Sequence, residues 1–518
     1  MPVDRAEFVV QDRRLVRMAA VSVALGLLIV FALAPSRFRF WYDSWTYYEL
    51  ARSIGSRFYA ISTIREFQSG SEFSSAFPPL WPVIVATFAR AGLGMFGSYL
   101  ASFVSFVAFA LAAERLARRL FTYRGIGLLS ALLLLAFPGI RWDLAGGGSF
   151  ALYLCLLALL GLLILRFDST RFRDAVWLGA IAGLMVLLRF DAAPAALAAL
   201  AAGIAFGVRR AKLAAMVVTF ALVLSPWVLY SWLHFHTLFV TDNRAVALAL
   251  DPDAYLMDYL PGSQPTLRDN PAAWVRKLLV HAPIIARAVW DAVVQSVFVL
   301  PAGITAIGAW VVRHQRDFSF RLPRRLVSRA SLALLVVAMA PIVAYVVTGY
   351  QESRYFSAFV WLGELLALGV ATAALSPRAR VMLFAIACVA GLAKSASLMR
   401  YARKDPPLAA MKRQLDSSDA VAMTSCLRAA GALPGDGVLF LTNVGMLNGY
   451  RFGALTGWRA SPPPRNWVRL TAEQRARFVQ QFRLRYVLDT LPTAADRLPS
   501  EPVAGCMPSV RRFTANAP

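Results

Sequence analysis

Arg13-Arg-Leu-Val-Arg17 and the run behind it, Met18-Ala-Ala-Val-Ser-Val-Ala-Leu-Gly-Leu-Leu-Ile-Val-Phe-Ala-Leu-Ala34, decide the class of fold. A helix crosses a bilayer with about 20 largely apolar residues, and the segment 15–35 meets that length. The basic residues ahead of it resemble the start of a signal peptide. No small-residue cleavage site follows, only Pro35-Ser-Arg-Phe-Arg39, so the segment reads as an uncleaved first span with its N-terminus inside.

Working outward, the same test picks 96–116, 124–140, 149–166, 174–190, 192–208, 213–233, 284–312, 330–349, 356–375 and 379–398. Leu80–Ala91 is apolar but too short, carries Pro82 and breaks at Arg90 and Gly92, so it reads as an interfacial helix. The bulk composition agrees. Of 518 residues 58% are hydrophobic and 16% charged, against about 25% charged in soluble domains, and mean hydropathy is +0.56.

Charge orients this array. With the N-terminus inside, short cytoplasmic loops hold Arg115, Arg118, Arg119 and Arg124, then Arg166, Arg171 and Arg173, then Arg209, Arg210 and Lys212. Arg313, Arg316, Arg321, Arg324, Arg325 and Arg329 follow, and finally Arg378 and Arg380. Lys and Arg collect in cytoplasmic loops, which accounts for the net charge of +25 without nucleic acid. No basic run is interleaved with the stacking aromatics that single strands need.

Three outside segments remain: 36–79, rich in aromatics and acids; 234–283, long and mixed; and 400–518. The expected organisation is a transmembrane domain over 1–399, with outer loops 36–79 and 234–283, and a soluble α/β domain over 400–518. In the tail, Gly437-Val-Leu-Phe-Leu-Thr442 and Arg485-Tyr-Val-Leu-Asp489 read as strands, Thr471–Gln481 as a helix, and Pro462-Pro-Pro464 as a rigid loop. Four cysteines do not make a disulfide scaffold, and no CxxC or Cys/His cluster points to zinc. Cys155 and Cys388 fall in expected spans. Cys426 and Cys506 fall in the tail, on the oxidising side of this topology, where a bridge between them is expected.

The stretch richest in chemistry is Trp41-Tyr-Asp-Ser-Trp-Thr-Tyr-Tyr-Glu-Leu-Ala-Arg52. As a helix it puts Asp43, Tyr47 and Leu50 on one face. Taken alone, the residues allow an interfacial aromatic belt with Asp43 as a helix cap, or a site built on one carboxylate.

Asp43, Tyr47, Glu49, Ala51 and Arg52 resemble the acidic first-loop motif of the GT-C glycosyltransferase superfamily. That superfamily includes protein O-mannosyltransferases, bacterial lipid A aminoarabinose transferases and mycobacterial arabinofuranosyltransferases. Phe77-Pro-Pro-Leu-Trp-Pro82 is similar to the segment that closes that loop, and Gly183-Leu-Met-Val-Leu-Leu-Arg-Phe-Asp191 to a turn between two central spans. Ser225-Pro-Trp-Val-Leu-Tyr230 with His234-Phe-His-Thr-Leu-Phe-Val-Thr-Asp-Asn243, and Glu352-Ser-Arg-Tyr-Phe356, complete five matches in family order.

The resemblance implies an α-helical polytopic fold of about eleven spans, N-terminus inside and C-terminus outside. It further implies an inverting transferase that takes a sugar from a polyprenyl-phosphate donor at the outer face of a bacterial inner membrane. The acceptor would be a lipid, a polysaccharide or a protein. Asp43 would be the catalytic carboxylate, serving as general base, with Tyr47, Glu49, Arg52, Arg189, Asp191, His236, Arg244, Arg354 and Tyr355 binding substrate.

Where many relatives carry two adjacent acids this chain has one, so no cofactor is expected, and Mg or Mn is not supported by a DxD pair in the first loop. Asp251-Pro-Asp253 has that form in another loop and also reads as a turn. One carboxylate suffices, because a lipid phosphate leaves readily without a proton donor and the base need only serve the acceptor hydroxyl. Arg suits the phosphate through its planar fork. Arg189 also reads as a salt bridge to Asp191, His236 as structural, and Arg57 and Arg65 as solvated loop charges. A transporter or flippase of lipid-linked glycans is the alternative, although no internal repeat of the transporter kind is visible.

Overall fold

A computed structural model describes residues 5–37, 42–55, 59–63, 73–75, 77–121, 123–168, 170–206, 209–241, 243–254, 258–259, 266–296, 328–375, 377–397, 418–433, 435–441, 445–489 and 499–514. Among the described residues the α-helices before the tail are α1 (Arg5–Arg37), α2 (Tyr42–Ser53), α3 (Leu80–Phe88), α4 (Phe96–Leu120), α5 (Ile126–Leu135), α6 (Pro138–Gly146), α7 (Phe150–Leu165) and α8 (Phe172–Leu188). They continue as α9 (Ala193–Ala205), α10 (Arg210–Phe235), α11 (Asn243–Leu248), α12 (Pro271–Gln295), α13 (Arg329–Met339), α14 (Pro341–Thr348), α15 (Ser357–Ala374) and α16 (Pro377–Ala396). Proline sits in the first turn of α6, α9 and α14, where its missing N–H costs no helical hydrogen bond.

Each of the eleven expected spans holds a helix. Among the described residues, seven helices are long and apolar enough to cross a membrane, or eight if the pair α5–α6, bent by 76°, is one broken span. α7, α8 and α9 are shorter, at 16, 17 and 13 residues. The span expected at 284–312 begins earlier, because Asn270 caps Pro271: its Oδ1 accepts from the Ala273 N–H at 2.9 Å. Residues 297–312 lie outside the described ones.

The chain forms two compact units. The first comprises Met1–Arg39, Tyr99–Trp227 and Ala282–Met411. Its helices pack by close backbone approach: a Cβ on Gly127 would collide with the Ala113 carbonyl, and one on Gly179 with that of Met216. Its interior is apolar, with Phe106, Phe109, Leu132, Leu154 and Trp361 buried. Leu222, Leu229 and Trp290 stay exposed on α10 and α12, as lipid-facing side chains do.

The second unit gathers Phe40–Ser98, Val228–His281 and Lys412–Pro518, so both expected outer loops pack with the tail. In the tail α17 (Ser418–Ala429), β1 (Gly437–Leu441), α18 (Gly445–Thr456), β2 (Ala460–Ser461), α19 (Ala472–Gln481), β3 (Leu484–Asp489), β4 (Ser500–Pro502) and β5 (Val510–Phe513) form an α/β layer. Strand order is β2-β1-β3-β5-β4. β1 runs parallel to β2 and β3, while β5 is antiparallel to β3 and β4.

Leu427, Val438, Phe440, Phe452, Tyr486 and Val510 fill its core. Thr471 starts α19 through a capping box with Gln474. Cys426 on α17 is disulfide-bonded to Cys506, with Cα atoms 5.6 Å apart. Cys155 and Cys388 are buried free thiols.

Candidate active site

Helix α2 carries the acidic motif, with Asp43 in its first turn and Arg52 in its last, the charge order a helix dipole favours. At about 100° per residue, Asp43, Tyr47 and Leu50 share one face, while Glu49 and Arg52 lie on the opposite one. Asp43 is 8% exposed and Tyr47 6%. The Tyr47 ring meets Phe77 edge-on at 4.8 Å and Trp81 at 6.5 Å, so the first two motifs pack together.

The Tyr59 hydroxyl donates to the Phe77 carbonyl at 3.0 Å. From the end of α10, the Tyr230 hydroxyl donates to the Ser74 carbonyl at 2.9 Å and reaches that of Tyr59 at 3.4 Å. The motif on α2 is thus packed against the Phe77 motif, and the Tyr230 motif joins that loop through Ser74 and Tyr59.

Glu49 and Arg52, expected at substrate, are engaged elsewhere. The buried Glu49 carboxylate accepts from the Ser62 N–H, from the Thr63 N–H at 3.3 Å and from the Thr63 hydroxyl at 2.9 Å. Burial pushes the Glu49 carboxyl above its ordinary range, against the hydrogen bonds from Ser62 and Thr63 that pull it down. The Arg52 guanidinium donates to the Ala454 carbonyl on α18 at 2.9 Å.

The first unit holds a separate cluster. α8 ends where Arg189 turns extended, at φ −153°. Its guanidinium grips Asp191 through two bonds, Nε to Oδ1 at 2.9 Å and Nη2 to Oδ2 at 2.7 Å, in the bidentate geometry that Arg favours. It also reaches the Ser149 hydroxyl at 3.4 Å and lies over Phe150 at 3.7 Å and Tyr355 at 5.7 Å. The Tyr345 hydroxyl donates to Asp191 Oδ2 at 3.1 Å.

Arg354 lies 5.3 Å from the same Tyr355 ring and pairs with Glu352 at 2.7 Å. Tyr350 stacks on Tyr355 at 5.6 Å. This approach depends on Gly139, where a Cβ would come within 2.8 Å of the Arg354 backbone. Arg189, Asp191, Arg354 and Tyr355 are thus brought together, and with Glu352 they make two cations and two acids beside the rings of Phe150, Tyr350 and Tyr355. Beside the Arg354 turn, a cavity of about 480 Å³ is lined by Arg287, Asp291, Gln295, Gln351 and Ser353 among others.

Tyr345, Phe150 and Ser149 were not expected in this cluster. A lone tyrosine inside the apolar run 330–349 was the available signal for the first, and nothing local marks the other two.

His236 caps α10, with φ +53° and its N–H on the Trp232 carbonyl at 3.1 Å. Arg244 is exposed at the start of α11. Asp251-Pro-Asp253 is an exposed turn in which Asp251 Oδ1 accepts the Asp253 N–H at 2.9 Å. The buried Lys277 donates to the carbonyls of Val246 and Ala249 at 2.7 and 2.9 Å, which fastens that loop to α12. Arg57 and Arg65 lie outside the described residues. Among the described residues no three His, Cys, Asp or Glu side chains are grouped to hold a metal.

The chain can now be set beside known proteins. Residues 77–232 match the family model of dolichyl-phosphate-mannose-protein mannosyltransferases. ArnT of Cupriavidus metallidurans, solved bound to undecaprenyl phosphate, is similar at 14% identity and a TM-score of 0.52, over 96% of this chain and 98% of that one. The Archaeoglobus fulgidus oligosaccharyltransferase, solved with zinc and sulfate, is similar at 14% identity and a TM-score of 0.55, over 91% and 67%. The oligosaccharyltransferase AglB from Archaeoglobus fulgidus, in complex with an inhibitory peptide and a dolichol-phosphate, gives 14% and 0.51 over 90% and 69%. Among curated protein sequences none matches. At this identity the likeness is one of fold. The chain is a polytopic membrane protein with the GT-C architecture that its motifs implied.

Proposed function

We propose that the protein is an inverting glycosyltransferase that moves a sugar from a polyprenyl-phosphate donor to a hydroxyl acceptor at the outer face of a bacterial inner membrane. The observation that carries this reading is one buried carboxylate, Asp43, held in the first turn of α2. One turn along the same helix Tyr47 packs on Phe77, and Tyr230 binds the loop that leads to Phe77, so three family motifs are linked within one compact unit.

The chemistry follows from these groups. The acceptor hydroxyl oxygen attacks the anomeric carbon, the bond from that carbon to the phosphate oxygen breaks, and the hydroxyl proton passes to Asp43. A general base of this kind contributes about 10²–10⁴-fold. Polyprenyl phosphate leaves with the bonding pair, and no acid is needed to protonate it. Attack opposite the leaving group inverts the anomeric centre. Arg189 and Arg354 are the cations assigned to the phosphate, because planar guanidinium forks match phosphate oxygens. Phe150 and Tyr355 give Arg189 an apolar floor that holds its orientation.

The test supplies nanodisc-held protein with a panel of undecaprenyl-phosphate hexoses and pentoses plus an envelope extract, and follows release of undecaprenyl phosphate. Wild type should turn over one donor, with inversion seen by NMR of the product. Asp43→Asn should slow release by about 10²–10⁴-fold at equal expression. Near-normal release from that variant rejects the assignment. Sugar-lipid movement across vesicles, with no release and no effect of Asp43→Asn, identifies a flippase instead.

A further inference from the structure

The two faces of α2 do different things. One presents Asp43 and Tyr47, and the other is bound to the tail. Glu49 collects three donors from Ser62 and Thr63. Those two residues are in turn laid along the edge of the tail's sheet. The Ala460 N–H donates to the Ser62 carbonyl at 3.2 Å, and Thr63 forms a parallel bridge with Ala460 in β2. Thr63 is 1% exposed, and its hydroxyl abuts Gly453 of α18, where a Cβ has no room. Three residues beyond Glu49, Arg52 donates to Ala454, also on α18. The helix bearing Asp43 is therefore fixed, through its far face, to the edge strand and one helix of the C-terminal fold.

We infer that Glu49 is a positioning residue: through Ser62 and Thr63 it makes the C-terminal α/β fold the support that aims Asp43. This rests on the reading of Asp43 as the base. Asp43 and Glu49 are six residues apart, about 9 Å along a helix, so Glu49 acts on the reaction only through the orientation of α2. Misplacing a reacting group by about 1 Å can cost about 10²-fold in rate. The tail is on this view part of the catalytic apparatus and not an appended binding module.

The experiment uses the full chain in nanodiscs, with two readouts. Amide hydrogen exchange is followed on residues 42–53, and kcat and KM are measured separately for release of undecaprenyl phosphate from the donor that wild type accepts. Glu49→Ala should speed exchange over α2 at least tenfold and lower kcat about 10–100-fold, with KM little changed. Glu49→Gln keeps an acceptor oxygen for the Ser62 and Thr63 N–H groups and should recover most of both. Gly453→Ala perturbs the same support from α18, 404 residues along the chain from Glu49, and should move both readouts the same way even if Glu49→Ala folds poorly.

A raised KM with unchanged α2 exchange makes Glu49 a substrate contact and overturns the inference. So does unchanged exchange in both Glu49→Ala and Gly453→Ala. If Asp43→Asn keeps full activity while these variants loosen α2, the catalytic reading fails and the support remains.

Discussion

Replacing Cys426 and Cys506 together by serine tests how the α/β fold is held. The two cysteines are 80 residues apart in sequence, and β1, α18, β2, α19, β3 and β4 all lie inside the loop they close. In the chain-entropy treatment, closing a loop of that length removes about 15 cal/mol/K from the unfolded ensemble, or about 4.5 kcal/mol at 25 °C. Each 1.4 kcal/mol is about tenfold in an equilibrium constant, so opening of the sheet should become about 10³-fold more frequent. Even the lower end of measured disulfide effects, about 2 kcal/mol, corresponds to about 30-fold.

The assay is amide exchange of β1 and β3 in the nanodisc-held chain, comparing wild type, wild type with reductant, and the double serine variant. The last two should agree, both losing protection in β1 and β3. The bundle helices α5 and α15, in the other unit, should keep theirs. A loss of protection below tenfold, or one shared equally by α5, would refute the idea that this bond governs the fold it encloses.

Three further outcomes are expected. Arg189→Ala should lower stability by about 1–3 kcal/mol, because it leaves Asp191, whose side chain is 12% exposed, as a half-buried carboxylate that has lost two charge-assisted hydrogen bonds; thermal unfolding in detergent checks this, and adding Asp191→Asn should restore most of the loss. In the same variants the affinity for undecaprenyl phosphate, measured by thermophoresis, should fall and stay low. The folded Glu49 carboxyl titrates above its ordinary 4.5, so its protonated form favours folding; that stability is present at or below about pH 4.5 and fades as pH rises through the folded value. Wild type should therefore lose stability relative to Glu49→Gln as pH is raised from 4.5 towards neutrality, and a gap that widens the other way would show the sign to be wrong. On intact spheroplasts treated with a membrane-impermeant reductant, Cys426 and Cys506 should both react with an impermeant maleimide; reaction only after permeabilisation would place the tail inside.

What the sequence made legible was whatever depends on local averages. Long apolar runs marked the helices of the bundle, and Gly437–Thr442 and Arg485–Asp489 stood out as apolar runs of strand length, within a residue of the strands Gly437–Leu441 and Leu484–Asp489. A hydropathy window is blind to direction, and so the expected span 124–140 contains the 76° break between α5 and α6 that Pro138 introduces. β2, β4 and β5 are two, three and four residues long, too short for any alternation to show, and they exist only because a neighbouring strand pairs with them. The site divides the same way. Arg189 and Asp191, two residues apart, could be read as a pair. That Tyr345 would join them, or that Glu49 would turn to Thr63, depends on contacts closed by tertiary packing, which no spacing rule reaches.

The hydrogen bond between Arg52 and Ala454 spans 402 positions, and this sets a timetable for biogenesis. Translation at about 5–20 residues per second leaves roughly 20–80 s between the appearance of one partner and the other. During that interval α2 has been made and no sheet exists to receive it. Loop closure over such a distance also slows assembly, since its entropy must be met before the contact forms. In a newly made chain α2 therefore lacks this contact until the final segment has been synthesised and folded. A ribosome that stops short of the tail yields a protein that is anchored but has nowhere to seat its acidic helix.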